Sequence, residues 1–258
     1  MQNWALILGS SSGFGAETCR ELARCGINIY GIHLDRRSTM EGVELLIEEL
    51  RNNDVEVRFN NMSATDSNKR QEVIRELKEL GNIRIKILMH SLAFGALKPF
   101  LHNNIDDYLR PNQIEMTLDV MANSLVYWTQ DLFKESLLKR GSQVFAMTSS
   151  GGRRQWKSYG AVSAAKAALE SYCRQLALEL SGYGIAVNSI QAGVTDTPAL
   201  RKIPGNDIMI KNALQINPGG RLTVPQDVAK SISLIGSSEE TWMTGNIIRI
   251  DGGEDITG

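Results

Sequence analysis

Short apolar runs alternate along the chain with longer stretches in which apolar residues recur at intervals of three and four. The short runs are WALIL (4–8), INIYGI (27–32), VEVRFN (55–60), RIKILMH (84–90), SQVFAM (142–147), IAVNSI (185–190) and NIIRID (246–251). Runs of this length, bounded by polar or glycine-containing segments, predict seven strands covered on both faces. Helices are predicted at 15–26, 40–53, 67–81, 113–141 and 166–184, several of them closed by glycine, the residue that most readily ends a helix in the left-handed conformation. Strand followed by helix, repeated from end to end, is the pattern of βαβ units. The expected fold is therefore α/β, a doubly wound parallel seven-stranded sheet with helices on both faces. No repeat, low-complexity tract or linker divides the chain, so residues 1–258 are expected to form a single domain.

Two segments interrupt the rhythm, residues 94–111 after the fourth strand and 195–225 after the sixth. Both follow the carboxyl end of a strand, where open α/β sheets hold their ligands. They are candidate walls of a site, with 195–225 as a substrate lid whose Ala199, Leu200, Ile203, Ile208, Met209 and Ile210 suit an acyl chain or simple packing on the sheet.

Composition narrows the function. The formal net charge is −1, and charged residues make up 22% of the chain, which gives no polyanion-binding surface and argues against nucleic acid. The three cysteines, Cys19, Cys25 and Cys173, have neither the pairing of a secreted scaffold nor zinc-ligand spacing. No metal site is expected. With no basic leader and no long apolar span, a cytoplasmic location without membrane association is expected.

The stretch LILGSSSGFGAE places Gly9, Gly13 and Gly15 between the first strand and the first helix. Absent side chains let backbone approach a pyrophosphate, and the helix start offers unpaired N–H groups and partial positive charge. The spacing departs from G-x-G-x-x-G, but its place between strand and helix points to a Rossmann-like dinucleotide fold. After the second strand, Asp35 and its neighbours Arg36 and Arg37 pull in opposite directions. A carboxylate suits the ribose hydroxyl of NAD, whereas an arginine suits the 2′-phosphate of NADP.

Further along, Tyr159 and Lys166 are separated by six residues at the head of a long helix. Seven positions make nearly two full turns, so the two side chains leave from almost the same face. Taken alone, such a pair is usually an ordinary surface pair. Together with GSSSGFG, with VNSIQAGVTDT after the sixth strand and with the closing IRIDGG, it resembles the short-chain dehydrogenase/reductase superfamily over essentially the whole chain. Most of that superfamily keeps three residues between tyrosine and lysine, and Val162 holds that position here. Six intervening residues, with HSLAFG at 90–95, resemble its enoyl-acyl-carrier-protein reductase branch. Met121 stands where ordinary ketoreductases keep an active-site asparagine, and Asn123 lies two residues away.

A physical reason fits the longer spacing. Reduction of an enoyl thioester puts hydride on the β-carbon while charge collects on a carbonyl oxygen two bonds farther off. Three helical positions displace the tyrosine by about 4.5 Å, the scale of that difference.

The resemblance implies that Tyr159, Lys166 and Ser149 are catalytic, with Ser149 alternatively a turn cap. It implies that Gly9, Ser11, Gly13, Phe14 and Gly15 line the phosphates, that Asn61 and Met62 meet the adenine, and that Asp35 or Arg36 reads its ribose. Ser91 and Leu92 would face the ribose side, Lys166 the nicotinamide ribose, and Thr195 and Thr197 the carboxamide end. Gly95 and Tyr159 would receive the acyl thioester. NADPH is favoured, with NADH possible. The implied substrate is a small acyl thioester on acyl carrier protein or coenzyme A, in fatty acid or related acyl-chain synthesis. Arg153, Arg154, Lys157, Arg201 and Lys202 are candidates for meeting an acidic carrier. A homotetramer is implied, with the apolar faces around Leu125 and Leu176 compatible with it. His90 reads as a packed strand-end histidine. The rival readings are a ketoreductase or alcohol dehydrogenase of the same superfamily and a catalytically idle dinucleotide-binding regulator.

Overall fold

The computed structural model describes residues 1–240 and 242–257. All seven expected strands form: β1 (Gln2–Leu8), β2 (Asn28–His33), β3 (Val57–Asn61), β4 (Ile83–His90), β5 (Gln143–Thr148), β6 (Ala186–Ala192) and β7 (Ile247–Ile250). They pair in parallel in the order β3-β2-β1-β4-β5-β6-β7. This is the doubly wound, Rossmann-like arrangement, and its strand order reverses direction between β1 and β4.

Alternation along the central strands divides the core into two layers. Leu6, Leu8, Leu88, Val144 and Ala146 face α5 (Ser124–Lys134) and α6 (Gly160–Leu180), where Leu125, Trp128, Leu169 and Cys173 meet them. Ala5, Ile7, Ile87, Met89 and Phe145 face the other way, towards Cys19 and Leu22 of α1 (Gly13–Arg24) and Val228 and Ile232 of α8 (Pro225–Gly236). Each of the leucine, isoleucine, valine, methionine and phenylalanine side chains contributes about 1.5–3 kcal/mol by leaving water. This two-sided burial is why the strands read as unbroken apolar runs. The remaining α-helices among the described residues are α2 (Met40–Arg51), α3 (Ser67–Glu79), α4 (Pro111–Leu118) and, within the segment expected to form a lid, α7 (Asn206–Ile216).

Several expectations need correction. The single helix expected at 113–141 is α4, a wider π-turn at Asp119–Asn123, and α5, which ends at Lys134. In the wide turn the Ser124 hydroxyl donates to the Val120 carbonyl at 2.8 Å. Beyond Lys134, Ser136 and Gly141 take positive φ values while Leu137 and Leu138 fold back into the core. Their burial continues the apolar period through residues that are no longer helical. The helix expected from 166 begins six residues earlier, at Gly160. Leu125 and Leu176 are buried in the protomer's own core, so neither offers an apolar face to a second copy. Among the described residues, no helix is long and apolar enough to cross a membrane.

Candidate active site

The carboxyl ends of β1 and β4 flank the point where strand order reverses, and the glycine loop and Ser91 meet there. A Cβ on Gly9, where φ is +88°, would lie 2.4 Å from the Ser91 carbonyl oxygen, and one on Gly15 would lie 1.9 Å from the Gly9 oxygen. Only glycine permits this approach. Gly13 faces the Thr197 side chain at 3.6 Å on the same measure, so the loop after β6 closes the third side. The start of α1 has no side-chain cap and no acidic residue in its first turn, leaving its N–H groups free for an anion. The Phe14 side chain is partly buried and packs against the core. The cradle and the uncapped helix fit a dinucleotide pyrophosphate.

Just beyond β2, the Asp35 carboxylate is held by His33 Nδ1 at 3.0 Å and by the Thr39 hydroxyl at 2.8 Å. Its pKa is lowered: hydrogen bonds from Ser11, Thr39 and His33 outweigh the opposing effect of burial. Arg36 and Arg37 are exposed. The two residues expected near the adenine have side chains engaged within the chain. The Asn61 side chain clamps the Asp35 backbone in both directions, at 3.0 and 2.9 Å, and the Met62 side chain is buried among Trp4, Tyr30 and their neighbours. Asn61 thus fixes the turn carrying Asp35, and Met62 offers only backbone to the crevice. Leu92 lies beside Gly9, while Thr195 and Thr197 are buried, their hydroxyls bonding to Gly193 O and Leu200 N.

Lys166 is almost wholly buried, and its Nζ donates to the Met147 carbonyl at 2.6 Å. Burial pushes its pKa down to about 8, with the Glu170 carboxylate opposing. Tyr159 caps the amino end of α6, immediately after Ser158, whose φ of +63° is unusual for a non-glycine residue. The phenol's pKa is raised, chiefly by burial, with the nearby Ser149 hydroxyl pulling the other way. It therefore holds its proton at neutral pH. Ser149 Oγ is buried and has no hydrogen-bond partner among the described residues. A Cβ on Gly151 would touch both, 2.6 Å from the Tyr159 ring and 3.1 Å from Ser149 Oγ, which puts the phenol and the orphaned hydroxyl side by side.

Val162, the position three residues closer to Lys166, is walled in. A Cβ on Gly95 would stand 2.6 Å from Val162 Cγ2 and 2.9 Å from Met121 Sδ, so the backbone at Gly95 lies directly on this pair. Leu97, Leu118 and the Tyr159 ring complete the apolar cluster. Phe100 covers Gly160 in the same way. His90 is fully buried; its Nε2 donates to Ser124 Oγ at 2.8 Å, because that hydroxyl's own proton goes to Val120 O. Burial lowers its pKa to about 3, so it stays neutral.

Three of the five basic residues near the mouth are engaged within the chain. Arg153 and Arg154 pair with Asp255, and Arg201 pairs with Asp196 at 2.8 Å. No signal in the sequence linked Asp255 to a segment a hundred residues away. No cluster of metal-binding side chains occurs among the described residues.

Residues 9–254 match the family described as enoyl-(acyl carrier protein) reductase. The chain belongs to that family. Among curated relatives, the NADH-dependent enoyl-acyl-carrier-protein reductase FabI of Aquifex aeolicus is 28% identical over 67% of this chain, and the match spans 63% of that relative's length. The 3-oxoacyl-acyl-carrier-protein reductase FabG of Buchnera aphidicola is 23% identical over 98% of this chain and 97% of its own. The crystal structure of the Aquifex aeolicus enoyl reductase superposes with a TM-score of 0.84 at 22% identity, covering 100% of this chain and 97% of that one, a likeness of fold. The chain is thus similar in sequence both to an enoyl reductase and to a 3-oxoacyl reductase.

Proposed function

We propose that this family member reduces the carbon–carbon double bond of a trans-2-enoyl thioester with a reduced nicotinamide dinucleotide. The observation that carries the reading is the arrangement at the head of α6. The position nearer Lys166 holds Val162, sealed beneath Gly95, while the only phenol of the cluster stands farther out beside an orphaned hydroxyl. A donor so displaced suits an oxygen remote from the carbon that receives hydride.

The dinucleotide, when bound, supplies that hydride. Tyr159, kept protonated by its burial, donates a hydrogen bond to the thioester oxygen as negative charge gathers there. A preorganised donor of this kind contributes about 3–4 kcal/mol. Ser149 Oγ, unsatisfied in the protein, is placed for the same ligand oxygen or its neighbour. Lys166 would hold the nicotinamide ribose, Gly9 to Gly15 the pyrophosphate, and Thr195 and Thr197 the carboxamide end. Gly95, with Met121 and Val162, would form the apolar floor beneath the acyl group. Lys157 and Lys202, exposed near the lid, remain candidates for an acidic carrier. Assembly as a homotetramer in the cytoplasm belongs to the same proposal.

For the coenzyme we propose NADPH. Asp35 already accepts from His33 and Thr39, whereas Arg36 and Arg37 are exposed beside it. Arg36→Ala is expected to raise the KM for NADPH by about tenfold, the loss of one phosphate-directed charged hydrogen bond, with the KM for NADH little changed. An equal effect on both would reverse the assignment.

A ketoreductase reading has support of its own: Ser149 lies beside Tyr159, and the matched carbonyl reductase covers 98% of the chain. Following NADPH oxidation with crotonyl and acetoacetyl thioesters in parallel separates the two. Turnover of crotonyl thioester is expected, and turnover of acetoacetyl thioester alone would transfer the protein to the carbonyl class.

A further inference from the structure

Near its carboxyl end the chain makes a short turn, Glu254–Ile256, whose two acidic residues reach two different segments of the site. Both oxygens of the Glu254 carboxylate accept from the Val194 amide, at 3.2 and 3.0 Å, which holds the loop that leads to Thr195 and Thr197. The Asp255 carboxylate, only 3% exposed, takes Arg153, Arg154 at 3.2 Å and Arg249 at 3.1 Å. Gln191 Nε2 donates a hydrogen bond to the same carboxylate at 3.0 Å. Arg153 and Arg154 lie within the segment joining Ser149 to Tyr159. The Trp156 indole then ties that segment to the lid by donating to Pro204 O at 2.9 Å. The turn is itself fixed by Asp251, which accepts from the Gly253 and Asp255 amides.

We infer that Glu254 and Asp255 are positioning residues that set the two walls separately. Glu254 holds the dinucleotide wall, and Asp255 holds the segment that delivers the Tyr159 phenol. Neither touches the reacting atoms in this account. The charge count explains why Asp255 is sensitive: three guanidinium groups converge on one buried carboxylate, so its neutralisation leaves them mutually repelling and the segment unanchored. The inference rests on the roles proposed above for Tyr159 and for Thr195–Thr197, but its structural half stands without them.

Amide hydrogen exchange on Asp255→Asn and Glu254→Ala, read beside calorimetric NADPH binding and steady-state kinetics, tests it. Asp255→Asn is expected to speed exchange in residues 150–158 while sparing 194–197, because local opening reports lost anchoring. It should lower kcat about tenfold, as expected for a misplaced catalytic group, with NADPH affinity within about twofold of wild type. Glu254→Ala should do the converse, speeding exchange in 194–197 and weakening NADPH about tenfold with a smaller change in kcat. Asp255→Glu should recover much of the turnover lost in Asp255→Asn. Exchange in both segments rising together in each variant, in step with a lower Tm, would reduce the turn to a structural role and overturn the inference, as would exchange unchanged in both. Absence of turnover by the wild type would instead count against the enoyl reductase reading, since exchange and dinucleotide binding need no reaction.

Discussion

Tyr159→Phe is expected to lower kcat with a crotonyl thioester by about 10²- to 10³-fold, the usual cost of deleting one donor aimed at developing charge. The ring packs in the apolar cluster with Met121, Val162, Leu97 and Leu118, and phenylalanine keeps that packing. Folding and NADPH binding should therefore be unchanged. The loss should fall on kcat and on kcat/KM alike, the mark of an interaction made in the transition state. Restoring a phenol nearer Lys166, by Val162→Tyr in the Tyr159→Phe background, should fail. Gly95 and Met121 already occupy the space above Val162, and its side chain is 5% exposed. Steady-state kinetics with a melting curve for each variant decides the matter. A Tyr159→Phe enzyme within about threefold of wild type would leave no catalytic task for the displaced phenol.

Lys166→Met is expected to lose activity on the same scale, about 10²- to 10³-fold, while melting no lower than wild type at pH 7. The two effects have opposite signs for one reason. Burial drives the Lys166 pKa from 10.5 down to about 8, so the fold disfavours the ammonium it contains. Between these values the unfolded chain holds a proton that the folded chain has released, so stability rises with pH there; below about 8 the penalty is present in full. Methionine removes it, at the expense of one hydrogen bond to the Met147 carbonyl. The same ionisation should appear in catalysis. With the ammonium as the working form, kcat/KM holds level below about pH 8 and falls above it. A profile rising through pH 8 would assign the work to the neutral amine, and a large fall in Tm for Lys166→Met would make the residue structural.

Strand positions were legible because β4, β5 and β6 are buried on both faces, and complete burial leaves a continuous apolar run. Helix ends were less so. Leu137 and Leu138 carry the apolar period past the end of α5 because burial, which the period records, does not stop where the hydrogen-bonded helix stops. At the site, the glycine loop stood out by its place between strand and helix, and Tyr159 and Lys166 by their spacing together with a family resemblance, all of them features local in the chain. Side-chain destinations were not local. Asn61 and Met62 sit at the right end of β3, yet one clamps the Asp35 turn and the other enters the core. Arg153 and Arg154 looked like surface for an acidic partner, and the chain supplies that acid itself in Asp255. Such pairings join residues about a hundred positions apart, and no periodicity encodes them.

Hydride should reach the β-carbon and a proton the α-carbon. Running the reaction on a crotonyl thioester with NADPH deuterated at the transferable position, and separately in deuterated water, locates both by NMR of the product. A butyryl thioester is predicted, with coenzyme deuterium at the β-carbon and solvent deuterium at the α-carbon. No label transfer to crotonyl thioester, alongside a labelled 3-hydroxybutyryl product from acetoacetyl thioester, would contradict the account.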